Sequence, residues 1–286
     1  MVITGRTDLA SEARSSLLRS AEHAARLKGI RAEEETLFGL SLTAVEILDD
    51  DAAALLGKDR GKYYTLRLPA PLSRGDTCFQ DAAAAISTLL RRCLPKELDR
   101  GILIAALGNP DVTPDALGSL VAGNLLVTRH LKRLKASEFS FLRSTVLCRT
   151  GVLGTTGLES ADQIRAFCDE IHPACVIAVD ALAGSELSGL CRSVQICNTG
   201  IAPGSGVGND RDALNEASLG VPVLAVGVPT VIDASSLAQE QELTDLFVTP
   251  RFIDSAVRSV ARVLAYGINL ALHDGISVED IDLLVG

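Results

Sequence analysis

Asp115 and Asp180 are the residues whose type and placement most suggest chemistry. Asp115 closes the segment Gly108-Asn-Pro-Asp-Val-Thr-Pro-Asp115, which follows an apolar run over residues 101–107. Asp180 directly follows Cys175-Val-Ile-Ala-Val179. Two carboxylates that share a water repel as anions, so one holds its proton while the other ionises, which supplies an acid and a base near neutral pH. A plainer reading exists for each. Thr113-Pro-Asp115 also fits a helix start, with threonine as cap, proline at the first position and an acid in the first turn. Asp180, coming after four apolar residues, must leave the core for a sheet edge or find partners.

Strands must deliver both carboxylates to one place. Residues 101–107, 175–179 and 221–226 are continuous apolar runs, as a parallel sheet covered on both faces requires. In open α/β sheets the ligand crevice lies outside the carboxyl ends of the strands, so both aspartates are expected at one edge. Around these runs the sequence predicts a helix over 8–28, strands over 40–48 and 63–68 flanking an Ala-rich helix that ends at Gly57, and a helix over 81–94 stopped by Pro95. Helices are also expected over 114–123, 160–170 and about 252–273, with a strand over 193–196, whereas 131–145 shows no clear period. The expected fold class is α/β, a twisted, mostly parallel sheet with helices on both faces. It is read as a single domain over 1–286 with an N-terminal elaboration over about residues 1–95.

Two glycine-rich segments are secondary candidates. Pro203-Gly-Ser-Gly-Val-Gly-Asn209 lacks the Lys-Ser/Thr pair of a phosphate loop; its Gly204, Ser205 and Gly206 are read as backbone that can approach a substrate or a neighbouring subunit. Gly151-Val-Leu-Gly-Thr-Thr-Gly157 offers Gly154 and Thr155, with a plain turn into the next helix as the alternative. Backbone N–H groups of either loop could hold an oxyanion. Asn109 and Thr230 stand near other strand ends, where ordinary turn residues are the competing reading. His130 stands alone and no His/Cys cluster marks a metal site. No Gly-x-Ser-x-Gly elbow supports a serine hydrolase.

Composition bounds the rest. The net charge of −9 argues against a nucleic-acid surface, and no apolar run approaches the ~18 residues of a membrane span. Hydrophobic residues make up 47% of the chain but aromatics only 3%, so Ala, Leu, Val and Ile must build the core. Seven cysteines without a Cys-x-x-Cys pair fit reduced thiols in a cytoplasm, and Cys175 reads as a small core residue.

Several long segments resemble the germination protease family of spore-forming bacteria. They are Leu107-Gly-Asn-Pro-Asp-Val-Thr-Pro-Asp-Ala-Leu-Gly118, Leu126-Val-Thr-Arg-His-Leu131, Gly151-Val-Leu-Gly-Thr-Thr-Gly-Leu-Glu159, Val176-Ile-Ala-Val-Asp-Ala-Leu-Ala183, Asn198-Thr-Gly-Ile-Ala-Pro-Gly-Ser-Gly-Val-Gly-Asn209 and Gly220-Val-Pro-Val-Leu-Ala-Val-Gly-Val-Pro-Thr230. Arg6-Thr-Asp-Leu-Ala10 and Gly57-Lys-Asp-Arg-Gly-Lys-Tyr-Tyr-Thr-Leu66 extend the likeness toward the N-terminus. The resemblance implies an endopeptidase that degrades small acid-soluble spore proteins at germination, in the cytoplasm of the spore core or forespore. It implies a fold similar to that of the hydrogenase maturation endopeptidases, within the phosphorylase/hydrolase-like class, and a homo-oligomer, by resemblance a tetramer. It also places the family's proposed catalytic pair on Asp115 and Asp180. No cofactor, no metal, no direct nucleic-acid partner and no membrane are expected.

The same resemblance implies a zymogen trimmed by self-cleavage after an acidic residue. Met1 to Thr7 contain no Asp or Glu, so either the usual N-terminal trimming is absent or it falls elsewhere. The chain also reads as short after residue 245, which bears on the subunit contacts. The expected mechanism is attack by an activated water, with Asp180 preferred as base. The alternatives are a non-catalytic sporulation binding protein of the same fold and a metal-dependent maturation peptidase.

Overall fold

The computed structural model describes residues 7–18, 27–69, 72–73, 75–134, 139–204, 211–234 and 246–285. One sheet of nine strands runs through them in the order β1-β2-β3-β7-β8-β6-β4-β5, with β9 added beside β8. The strands are β1 (Ile30–Leu37), β2 (Leu40–Ile47), β3 (Gly61–Arg67), β4 (Ile102–Ala106), β5 (Thr145–Arg149), β6 (Cys175–Gly184), β7 (Ser193–Cys197), β8 (Val223–Asp233) and β9 (Phe247–Val248). The α/β class holds. Its parallel core is β8-β6-β4-β5, and β1, β2, β3 and β7 extend it as an antiparallel half.

The parallel core forms where the apolar runs demanded it. Within β4, Ile102 and Ile104 enter one hydrophobic layer while Leu103 and Ala105 enter the other, so no face of the strand is left for a polar side chain. The first layer packs under helices α3 (Thr77–Cys93), α4 (Leu117–Ala122) and α9 (Ile253–Leu272). There Phe79 meets Tyr266 edge-on at 5.2 Å, a geometry the ring quadrupoles favour. The second layer packs under α7 (Ser160–Ile171), and further along the sheet under α1 (Ala10–Leu18) and α2 (Asp50–Leu56).

Several expectations need correction. The hairpin partner β1 carries Glu33, Glu34 and Glu35 on an exposed edge, so it had no apolar pattern to announce it. The unassigned stretch opens inside a short helix α5 (Arg129–Arg133) and leads into β5. A terminal helix α10 (Val278–Val285) was not anticipated. Of the helix expected over 8–28, the described part ends at Leu18, and Leu27–Gly29 form a 3-10 turn. The helix expected over 114–123 is split into a 3-10 turn, Thr113–Asp115, and α4. Thr113 therefore is no cap; its hydroxyl donates to Asp254 on α9 at 2.9 Å.

The strand register sets up the site. β4 and β6 pair only as far as Ala106 opposite Val179, whereas β6 continues beside β8 to Gly184, with an irregularity between Leu182 and Ala183. A crevice opens where β4 has stopped and β6 has not. Asp180, the first β6 residue past that stop, is thus in the middle of a strand rather than beyond its end. Helix α4 closes against this edge at a glycine. A methyl at Gly118 would sit 2.3 Å from the Leu107 carbonyl oxygen and 2.8 Å from that of Val179, so only glycine permits the approach.

Candidate active site

Gly108 turns the chain back over the end of β4. Its φ of 95° lies in the left-handed region, and a methyl there would fall 2.0 Å from the Asp115 carbonyl oxygen. The turn is fixed by the Asp115 N–H donating to Val112 at 2.8 Å. The Asn109 N–H donates to Asp115 Oδ2 at 2.7 Å, which holds the carboxylate toward the crevice. Asn109 Oδ1 accepts from the Asp111 N–H at 3.0 Å, so its own side chain serves the turn.

Asp180 is only 4% exposed. Its Oδ1 accepts from the Ala181 N–H at 2.9 Å. Across the ladder it faces Gly227, where a side chain would drive into Leu182. Both aspartates line one cleft of about 440 Å³, together with Asp8, Val112, Gly204, Arg211, Thr230 and Phe247. A neighbouring cavity of about 580 Å³ shares Asp8 and Leu182 with this cleft but contains neither Asp115 nor Asp180.

Burial pushes the Asp180 carboxyl well above the ordinary carboxylate range, and the charges of Asp115 and Asp8 push it the same way; the Ala181 N–H and Arg211 pull it down. Burial also raises Asp115, against the pull of the Asn109 N–H and the Arg211 charge. The two carboxyls are therefore unequal. The more deeply buried Asp180 is raised further, and the half-buried, N–H-bonded Asp115 less.

The remaining sequence candidates divide. Gly204 and Thr230 line the cleft, and Thr230 is buried. Gly154 and Thr155 do not line it. They belong to the exposed one-turn helix α6 (Leu153–Thr156), where the Thr155 hydroxyl donates to Val152. Ser205 and Gly206 lie outside the described residues. His130 is exposed on α5, away from the aspartates. Among the described residues no group of three or more His, Cys, Asp or Glu is placed to hold a metal ion, and no helix is long and apolar enough to cross a membrane.

Two cleft residues escaped the sequence reading. Asp8 arrives on a strap pinned across β6 and β7. Its N–H donates to the Ala183 carbonyl at 2.9 Å and its Oδ2 accepts from the Ala183 N–H at 2.9 Å, while Gln195 bonds the strap at Asp8 and Ala10. The buried Glu12 reinforces the strap, accepting from the Thr7 hydroxyl at 2.7 Å and the Ser185 N–H at 2.6 Å. Lys58 lies 4.0 Å from the Asp8 carboxylate. Arg211 follows the glycine-rich segment and is half-buried. The only signal for Asp8 was its place in the Arg6-Thr-Asp-Leu-Ala10 motif; Arg211 had none.

Comparison with known proteins defines the class first. The match is to a peptidase family, and the chain is an endopeptidase. It belongs to the germination protease family, whose profile covers residues 6–242. A germination protease of Caldanaerobacter subterraneus subsp. tengcongensis is 36% identical over 100% of this chain and 99% of its own length. One from Clostridium perfringens is 34% identical over 97% of this chain and 98% of its own length. One from Bacillus cereus is 40% identical over 82% of this chain and 65% of its own.

The raised Asp180 carboxyl has a consequence for stability. A buried acid whose folded pKa exceeds its unfolded value makes the native state bind more protons, so its cost is absent at low pH and grows as pH rises above the unfolded pKa of ~3.9. Asp180→Asn removes that cost. Thermal unfolding is expected to show Tm at pH 7 raised by at least about 2 °C, the response of a chain of this size to roughly 1 kcal/mol. The gain shrinks toward pH 4. A variant less stable than wild type at pH 7, with no pH trend, would contradict the assignment.

Proposed function

We propose that this protein is the endopeptidase that degrades small acid-soluble spore proteins during germination, using Asp115 and Asp180 to activate a water. The observation that carries the reading is the pairing of two unequally buried aspartates in one cleft at the end of β4. Small acid-soluble spore proteins as substrate, the spore interior as compartment and a homo-oligomeric, tetrameric assembly belong to the same proposal, carried over from the resemblance to the family.

The inequality assigns the roles, in the reverse of the order preferred from sequence. Asp115 is the base. It takes a proton from water as the water oxygen bonds to the scissile carbonyl carbon, and the carbonyl π electrons move onto oxygen. Asp180 is the acid, its O–H polarising that carbonyl. The proton on Asp115 then passes to the amide nitrogen, the C–N bond breaks, and the pair returns to its starting protonation. Such acid–base transfers contribute about 10²–10⁴-fold each.

A purified wild-type chain is therefore expected to cleave a small acid-soluble spore protein, with Asp115→Asn and Asp180→Asn each at least about 10²-fold slower and still folded by circular dichroism. Either variant retaining more than a tenth of wild-type activity would remove that residue from the mechanism.

The zymogen reading also acquires a position. Asp8 is acidic and lines the same cleft as Asp115 and Asp180, so the bond after Asp8 is the proposed site of self-cleavage. Incubation of the intact chain alone, followed by mass spectrometry, should yield a product beginning at Leu9. Full peptidase activity in a chain of unaltered mass would refute this step.

A further inference from the structure

The proposed chemistry places a negative oxygen in a cleft already lined by three carboxylates, Asp8, Asp115 and Asp180. An oxyanion forming there needs preorganised donors or positive charge. Three backbone donors beside these carboxylates are already engaged: the N–H groups of Asn109, Ala181 and Ala183 donate to Asp115, Asp180 and Asp8 respectively. No residue of the loop over 151–157 lines the cleft. The Thr155 and Gly157 N–H groups close its own turn onto Val152 and Leu153, and that of Gly151 donates to Gln163. One cation lines the cleft among its described residues, Arg211.

We propose that Arg211 is a further catalytic residue, whose guanidinium binds the scissile carbonyl oxygen opposite the Asp180 O–H and carries the charge of the oxyanion. The inference rests on the two-aspartate reading above. When water adds, Asp115 becomes neutral and Asp180 remains neutral, so the new negative charge sits on the substrate oxygen alone. A fixed positive charge then matters more in the transition state than in the bound ground state, where the carbonyl is uncharged. Arg211 lines the same cleft as both aspartates, and its charge favours the ionised form of each. A guanidinium also offers several N–H donors in a fixed plane, which a lysine amine does not.

The test is steady-state kinetics of wild type, Arg211→Gln and Arg211→Lys on one spore-protein substrate across pH. Arg211→Gln is expected to lose about 10²–10³-fold in kcat with KM changed less than about threefold, the pattern of an interaction made only in the transition state. Its acid limb should also move to higher pH, because the charge that favours ionised Asp115 is gone. Arg211→Lys should keep the acid limb in place yet lose kcat, which separates lost geometry from lost charge and serves as the deciding variant if Arg211→Gln does not fold. Wild-type kcat in Arg211→Gln, or in Arg211→Lys where Gln does not fold, overturns the proposal, as does a loss confined to KM, which would make Arg211 an anchor for a substrate carboxylate. A folded wild type without peptidase activity overturns the two-aspartate reading itself, and this inference with it.

Discussion

The site depends on a carboxyl group held inside a strand. Asp180 interrupts β6, a run of otherwise apolar residues, and it is buried with the Ala181 backbone N–H donating to its Oδ1. An ionised carboxylate there would face the cost of lost hydration and the charges of Asp115 and Asp8 together. Keeping the proton relieves both. A neutral Asp180 is compatible with β6 continuing past it beside β8, and it leaves Asp115 as the group that ionises more readily. Fold and chemistry thus share a cause: the position that is costly for a charge is also the position where a neutral acid is needed.

The surrounding structure holds this arrangement closed. β4 ends one register position before Asp180, which opens the crevice without removing β6 from the sheet. Gly108 and Gly118 let the following turn and helix come down onto backbone atoms of Leu107, Asp115 and Val179, so Asp115 is brought in by close packing rather than by a long loop. From the other side, Gln195 and Glu12 pin the strap that carries Asp8. Each aspartate is delivered by a different element, and each has a backbone N–H fixing one oxygen.

Much of this was legible in the sequence. The strands β4, β6 and β8 announce themselves because burial on both faces demands unbroken apolar runs, and a carboxylate beside such a run must lie at a functional edge or find partners. That logic places Asp115 and Asp180 together. It misjudges Asp180 as a strand terminus, because the apolar run pauses after Val179 whereas β6 stays paired with β8 through Asp180 to Gly184. β1 was invisible, since an exposed edge strand rich in glutamate carries no apolar alternation. Asp8 and Arg211 were also out of reach. Asp8 meets Ala183 across a separation of 175 residues, and Arg211 enters the cleft from beyond a glycine-rich segment, so only the tertiary fold assembles them. The helix expected from Thr113-Pro-Asp115 became a 3-10 turn because Thr113 bonds Asp254 on α9 instead of capping.

The division of labour between the two aspartates turns on where the proton of the pair resides. Carbon-13 NMR of protein labelled at the aspartate carboxyls, titrated through neutral pH, measures it. The expected result is one carboxyl still protonated at pH 7, lost from the spectrum of Asp180→Asn and retained in that of a distant aspartate variant such as Asp51→Asn. A spectrum in which every aspartate is ionised at pH 7 in the folded protein would contradict the assignment of Asp180 as the acid and, with it, the division of labour that the rest of the mechanism requires.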